Sequence, residues 1–141
     1  MGRPLKQLWV ITGTGLPLFD WRPPHLKESV NPNFISGFMS AILTMVGADQ
    51  DAIEDMHLGN AKLVLEMFRA KDTPGLEKVP FDLVLIAHVS PKTKSKAVKR
   101  VLGKLGKAFV ECYGPVLEDW NCDTTLFQDF VDQVRDYFET A

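Results

Sequence analysis

Hydrophobic and polar positions change period several times along the chain, and each change predicts an element. Leu8-Trp9-Val10-Ile11-Thr12 is a continuous, β-branched apolar run, which predicts a short strand buried on both faces. Gly13-Thr14-Gly15 supplies turn residues, and Leu16 to Trp21 resumes an extended run. Pro17 has no N–H for a ladder, so the second strand belongs at a sheet edge, and Pro23-Pro24 ends it. The two strands read as a hairpin.

A helical period follows. Asn31 can cap it, Pro32 suits its first position, and Phe34, Ile35, Phe38, Met39, Ile42, Met45 and Val46 recur at helical spacing until Gly47. Three strands come next: a weak one over Ile53 to Leu58, its hairpin partner over Ala61 to Arg69 across the Gly59-Asn60 turn, and Phe81 to Val89. The last, "FDLVLIAHV", is the strongest strand signal and predicts a central position; Lys71 to Val79 between reads as a polar loop. In the C-terminal third, Val98, Val101, Leu102, Leu105, Ala108, Phe109, Cys112 and Tyr113 keep a 3.6 period that continues to Trp120. Gly114-Pro115 should kink or divide that helix. Thr125-x-x-Gln128 resembles a capping box for a last helix burying Leu126, Phe127, Phe130, Val131, Val134, Tyr137 and Phe138.

The predicted order is therefore β-β-α-β-β-β-α-α, one α+β domain over residues 1–141. This order settles the reading of Gly13-Thr14-Gly15. A phosphate-cradling loop needs a helix after its glycines, whereas here Leu-Pro-Leu-Phe begins another strand and no Lys-Ser or Lys-Thr follows. The glycines predict a turn.

The opening "LWVITGTGLPLFDW", the helical "FISGFMSAILTMVG", and "MHLGNAKLVLEMF" followed by "FDLVLIAHVS" together resemble the longin domain over nearly the whole chain. The likeness is nearest to stand-alone archaeal-type longin proteins and to the longin subunits of Rab-activating complexes. It implies a five-stranded antiparallel sheet with one helix on one face and two on the other. It also implies a non-enzymatic module that binds small GTPases, other longin domains or SNARE-type segments, several in membrane traffic. The chain departs from the SNARE branch, having no coiled-coil heptads after the domain. The related roadblock fold begins and ends with different helices and fits less well.

Composition changes little in this picture. Of 141 residues, 45% are hydrophobic and 24% charged, and the net charge of −2 exerts no global pull on nucleic acid. The apolar run near the N-terminus is too interrupted for a signal peptide, and Pro4 and Gln7 are a poor context for myristoylation at Gly2. Cys112 and Cys122 are too few for a disulfide framework, and Cys112 falls on the apolar helix face as a small hydrophobe. A cytoplasmic protein is expected, without cofactor or metal.

Candidate chemistry is sparse, so no catalytic residue is expected. His25, His57 and His88 pair with no nearby Cys, Asp or Glu at metal or triad spacing. Charge is more informative. Lys92, Lys94, Lys96, Lys99, Arg100, Lys104 and Lys107 occur with no acid between Asp82 and Glu111, after which acids dominate. The bland reading is two solvated helix faces. The functional one is a basic patch that meets an acidic partner or anionic headgroups, since cations at a helix start oppose its dipole. Nucleic acid is not expected, because no exposed aromatics interleave the run.

The second candidate surface is aromatic. Phe19 and Trp21 share a face of the predicted edge strand, and Phe34, Phe38, Ile42 and Met45 line one stripe of the first helix, a pattern whose bland reading is core. By analogy with longin and roadblock pairs, Leu16, Leu18, Phe19, Trp21, Phe34, Phe38 and Ile42 are expected to form a homo- or heterodimer interface. The expected function is an adaptor that dimerises and docks a small GTPase or a trafficking-type complex. The alternative is a small-molecule sensor of PAS or profilin-like type, with a cavity between sheet and helices.

Overall fold

The computed structural model describes residues 5–13, 16–21, 55–58, 61–120 and 124–139. The predicted first helix, with Phe34, Phe38 and Ile42, lies outside the described residues, as do His25 and Cys122. Five strands are described: β1 Leu5–Thr12, β2 Pro17–Trp21, β3 Asp55–Leu58, β4 Ala61–Phe68 and β5 Leu83–Val89. They form one sheet in the order β2-β1-β5-β4-β3, with every neighbouring pair antiparallel. Two helices follow, α1 Ser95–Glu118 and α2 Val131–Glu139. The α+β class stands. The full predicted complement of five strands and three helices is not matched, because the described residues hold only two helices.

The apolar run in β5 decides its place. Leu83, Val84, Leu85, Ile86 and Ala87 are all fully buried, as expected for the middle strand of a sheet covered on both faces. Alternation sorts them: Leu83, Leu85, Ala87 and Val89 join the core beneath α1, with Leu8, Val10 and Val64 from the strands on either side. Val84 and Ile86 belong to the other face with Trp9, Ile11 and Leu63, also fully buried. Each such aliphatic side chain contributes about 1.5–3 kcal/mol of burial.

Helix α1 buries Val98, Leu102, Leu105, Gly106, Phe109, Val110, Gly114 and Leu117 along one stripe. Of the two outcomes expected at Gly114-Pro115, a kink or a division, the helix is not divided. Pro115 takes the N–H partner from the Glu111 carbonyl, and both residues are exposed, a setting in which water can stand in for one lost bond. At Gly106 helix and sheet approach closely, since a Cβ there would lie 2.1 Å from the Phe68 ring. Two further expectations are corrected. Cys112 is exposed, because it sits one step outside the stripe defined by Phe109 and Val110. The last α-helix starts at Val131 rather than Thr125, since Thr124–Phe130 is a 3₁₀ stretch that turns Phe127 and Phe130 inward.

The segment between β4 and β5 is more than a polar loop. Leu76 and Val79 are buried in the core beneath α1. Thr73-Pro74-Gly75-Leu76 turns the chain there: Pro74 suits the second position, Gly75 takes φ 96°, and the Leu76 N–H donates to the Thr73 carbonyl oxygen at 3.0 Å.

Candidate functional site

Three regions of the described surface stand out by sequence or by shape. The first is the edge hairpin. The Thr12 N–H donates to the Leu16 carbonyl oxygen (2.9 Å), and the Leu16 N–H donates to Thr12 Oγ1 (3.0 Å), closing the turn. The Gly13 N–H donates to the Asp82 carbonyl oxygen at 2.8 Å, so it serves the β5 side of the sheet. Strand β2 pairs with β1 and occupies one end of the sheet order.

The hairpin side chains part company with the expected interface. Leu16 is 53% exposed, whereas Leu18 and Phe19 are 1% and 4% exposed. The β1–β2 register shifts between Val10 and Ile11, and this bulge lets two successive residues, Leu18 and Phe19, both turn inward. Phe19 meets Phe130 edge-on at 5.6 Å, and Phe130 meets Phe109 edge-on at 5.1 Å. Trp21 is half-buried against the same core. Phe19 and Trp21 do share a face, as alternation predicted, but it is the core face. Of the expected partner-binding side chains, Leu16 alone among the described residues is well exposed.

Around Phe109 the rings are dense. Tyr113 lies 4.9 Å from it and 5.1 Å from Phe127. Burial, then the neighbouring Cys112 and Asp129, push the Tyr113 phenol above its ordinary pKa.

The second region is the basic run. Lys92, Lys94, Lys96, Arg100, Lys104 and Lys107 are exposed. Lys99 departs from the patch: its Nζ donates to the Leu65 carbonyl oxygen (2.9 Å) and lies 3.3 Å from Glu66 Oε1, tying α1 to β4. Lys62, 8% exposed, donates from Nζ to the Thr93 carbonyl oxygen at 2.7 Å, fixing the approach to α1. Nothing in the spacing distinguished Lys99 from the exposed lysines of the run; the distinction lies in which face of α1 rests on β4.

The third region comprises two clefts open to solvent. One, of about 540 Å³, is lined by Gly13, Arg69, Ala70, Lys71 and Val79 to Asp82. Its floor is held by Asp82, whose Oδ1 accepts from the Ala70 N–H at 2.7 Å. The other, of about 350 Å³, is largely apolar and lies between α1 and the turn, lined by Phe68, Asp72, Thr73, Pro74, Lys107, Val110 and Glu111. No sequence signal marked them, because each is assembled from segments distant along the chain.

His88 is partly buried and stacks on Trp9, with ring centroids 6.5 Å apart, in the setting of a packed ring. Among the described residues, no cluster of three or more His, Cys, Asp or Glu is placed to hold a metal ion. None of their helices is long and apolar enough to cross a membrane.

No family model matches the chain, and no curated protein matches it. Among solved structures, a chain of the mammalian SRP receptor is similar over 99% of this chain and 98% of its own, with a TM-score of 0.52 and 14% sequence identity. At that identity the likeness is one of fold alone.

Proposed function

We propose that the chain is a longin-type interaction module that works by presenting surface to a protein partner, with no bond made or broken. The partner would be a small GTPase, or a second longin or roadblock domain, within a trafficking-type complex. The observation that carries this reading is the edge position of β2 beside the exposed Leu16. An edge strand presents backbone N–H and C=O groups to which a partner strand can add, and an apolar side chain at its start supplies a contact to desolvate. The antiparallel strand order and the full-length likeness to a chain of the SRP receptor support the longin assignment as a fold, and the GTPase partner rests on that resemblance.

The test keeps the core intact. Phe19 is unsuitable for a charge substitution because it is buried, so Leu16→Glu is the informative variant. Light scattering should give a dimer for the wild type and a folded monomer for Leu16→Glu. Purified small GTPases, loaded with GDP or a non-hydrolysable GTP analogue, should be retained by the wild type in a nucleotide-dependent way. A chain that stays monomeric at all concentrations and retains no GTPase in either state would refute the proposal.

A further inference from the structure

We propose that the exposed face of the first three turns of α1, together with the turn before it, docks electrostatically on an anionic lipid bilayer. This goes beyond the protein-docking reading and does not depend on it. The surface consists of Lys92 and Lys94 in the approach, then Lys96, Arg100 and Lys104 on the helix, all exposed. At 100° per residue the three helical cations fall within about 80° of arc, and they span roughly 12 Å along the axis. They form a line on one side of the domain.

The structure sharpens this surface. Lys99 leaves it, because its ammonium is spent on Glu66 and the Leu65 carbonyl. Lys107 shares its cleft with Asp72 and Glu111, which offset its charge, so it is left out. The remaining five cations stand in a stretch, residues 83–110, that contains no acid. Exposed acids lie on either side of that stretch in the sequence, Asp20, Asp72 and Glu77 before it and Glu111, Glu118, Asp119, Asp129 and Asp132 after it. The net charge of −2 therefore averages an acid-free basic stretch with acidic segments around it.

Chemistry selects the occupant. Four of the five cations are lysines. Lysine is a compact, hydrated point charge, depleted at specific protein interfaces, where arginine and aromatics dominate around an apolar centre. No such centre exists here: among the described residues the exposed large apolar side chains are Leu16 and Leu126, and neither lies on α1. A single-stranded nucleic acid would need aromatic rings to stack on, and the stripe offers none. The apolar face of α1 is committed to the sheet, so the helix has no apolar stripe left to insert into the bilayer. What remains is a lysine-rich, apolar-free line of charge, which fits anionic headgroups attracted through water.

Vesicle co-sedimentation of the full chain tests this, with membranes of pure phosphatidylcholine or with about 30% phosphatidylserine added. At about 0.1 M salt the chain should sediment with the anionic vesicles only, and about 0.5 M salt should release it. Each cation near the surface is worth roughly fivefold in partitioning, so Lys96→Gln/Arg100→Gln/Lys104→Gln should weaken binding on the order of 100-fold. The control, Lys71→Gln/Lys78→Gln/Arg135→Gln, removes the same charge from exposed positions off the stripe and should bind as wild type. Circular dichroism and melting temperatures confirm that both variants fold. Failure to bind anionic vesicles, or equal loss in the two variants, would overturn the proposal. So would preferential binding of duplex DNA or polyglutamate over the vesicles. None of these results would touch the Leu16 experiment.

Discussion

Gly103 and Gly106 sit one turn apart in α1, and the fold predicts opposite outcomes for the same substitution. Glycine inside a helix costs about 1 kcal/mol against alanine, so propensity alone would have both Gly→Ala changes stabilise. A Cβ at Gly103 would meet Glu66 Oε2 at 3.7 Å, an ordinary contact, so Gly103→Ala should gain close to that full amount. A Cβ at Gly106 would lie 2.1 Å from Phe68 Cε1 and Cζ. Carbon atoms rest at about 3.5–4.0 Å, so the ring must retreat by roughly 1.5 Å. Overpacking of this kind costs about 1–3 kcal/mol. Phe68 is half-buried and borders the apolar cleft, which gives it somewhere to turn and keeps the cost near the middle of that range. Net of propensity, Gly106→Ala should lose about 1 kcal/mol, leaving the two variants about 2 kcal/mol apart. For a chain of this size that separates their melting temperatures by roughly 7 °C. Thermal and urea unfolding followed by circular dichroism measure it. Phe68→Leu in the Gly106→Ala background should recover much of the loss, because it removes the atoms in collision. If Gly106→Ala stabilises as much as Gly103→Ala, the close approach of α1 to β4 is wrong, and with it the registry of the core.

Four further outcomes follow from the packing and the charges. Phe130→Ala should cost about 3–5 kcal/mol, and a double-mutant cycle with Phe19→Ala should show a coupling of about 0.5–1.5 kcal/mol, read from urea midpoints; independent effects would mean that β2 is not anchored on Phe130. The Tyr113 phenol is raised above 10.0 in the fold, so its contribution is complete below the unfolded value and is lost as pH rises through the folded one. Melting temperatures should therefore fall as pH rises past 10.0, less steeply in Tyr113→Phe, and identical slopes would contradict the burial of the ring. Cys112 should react with a water-soluble maleimide in the native protein as fast as in the unfolded chain, with the site identified by peptide mass; protection would return it to the core. Lys99→Met should cost about 1 kcal/mol by urea unfolding, because it strips the Leu65 carbonyl and Glu66 of their partner, while Lys104→Met should leave stability within about 0.5 kcal/mol.

Elements whose burial is one-sided or complete along their own length are legible in the sequence. The unbroken apolar run of β5 can be satisfied only between two covered faces, so its residues alone dictate a central position. The 3.6 period of α1 likewise dictates the inward stripe, Cys112 excepted, and the strand after Gly13 identifies a turn rather than a phosphate loop. Relations between segments belong to the assembled fold. Phe19 reads as an exposed aromatic on an edge strand until Phe130, more than a hundred positions later, closes over it. Leu76 is one apolar residue in a polar loop until the turn at Pro74-Gly75 folds it under α1. Pro115 looks like a helix breaker until α1 is found to run through it, with Pro115 and Glu111 both exposed. Lys99 is indistinguishable from Lys96 or Lys104 in a basic run, and only the contact of α1 with β4 makes it an internal tie. Period is a local property, set by how one element meets water, whereas a side chain's partners are set by what the rest of the chain places opposite it.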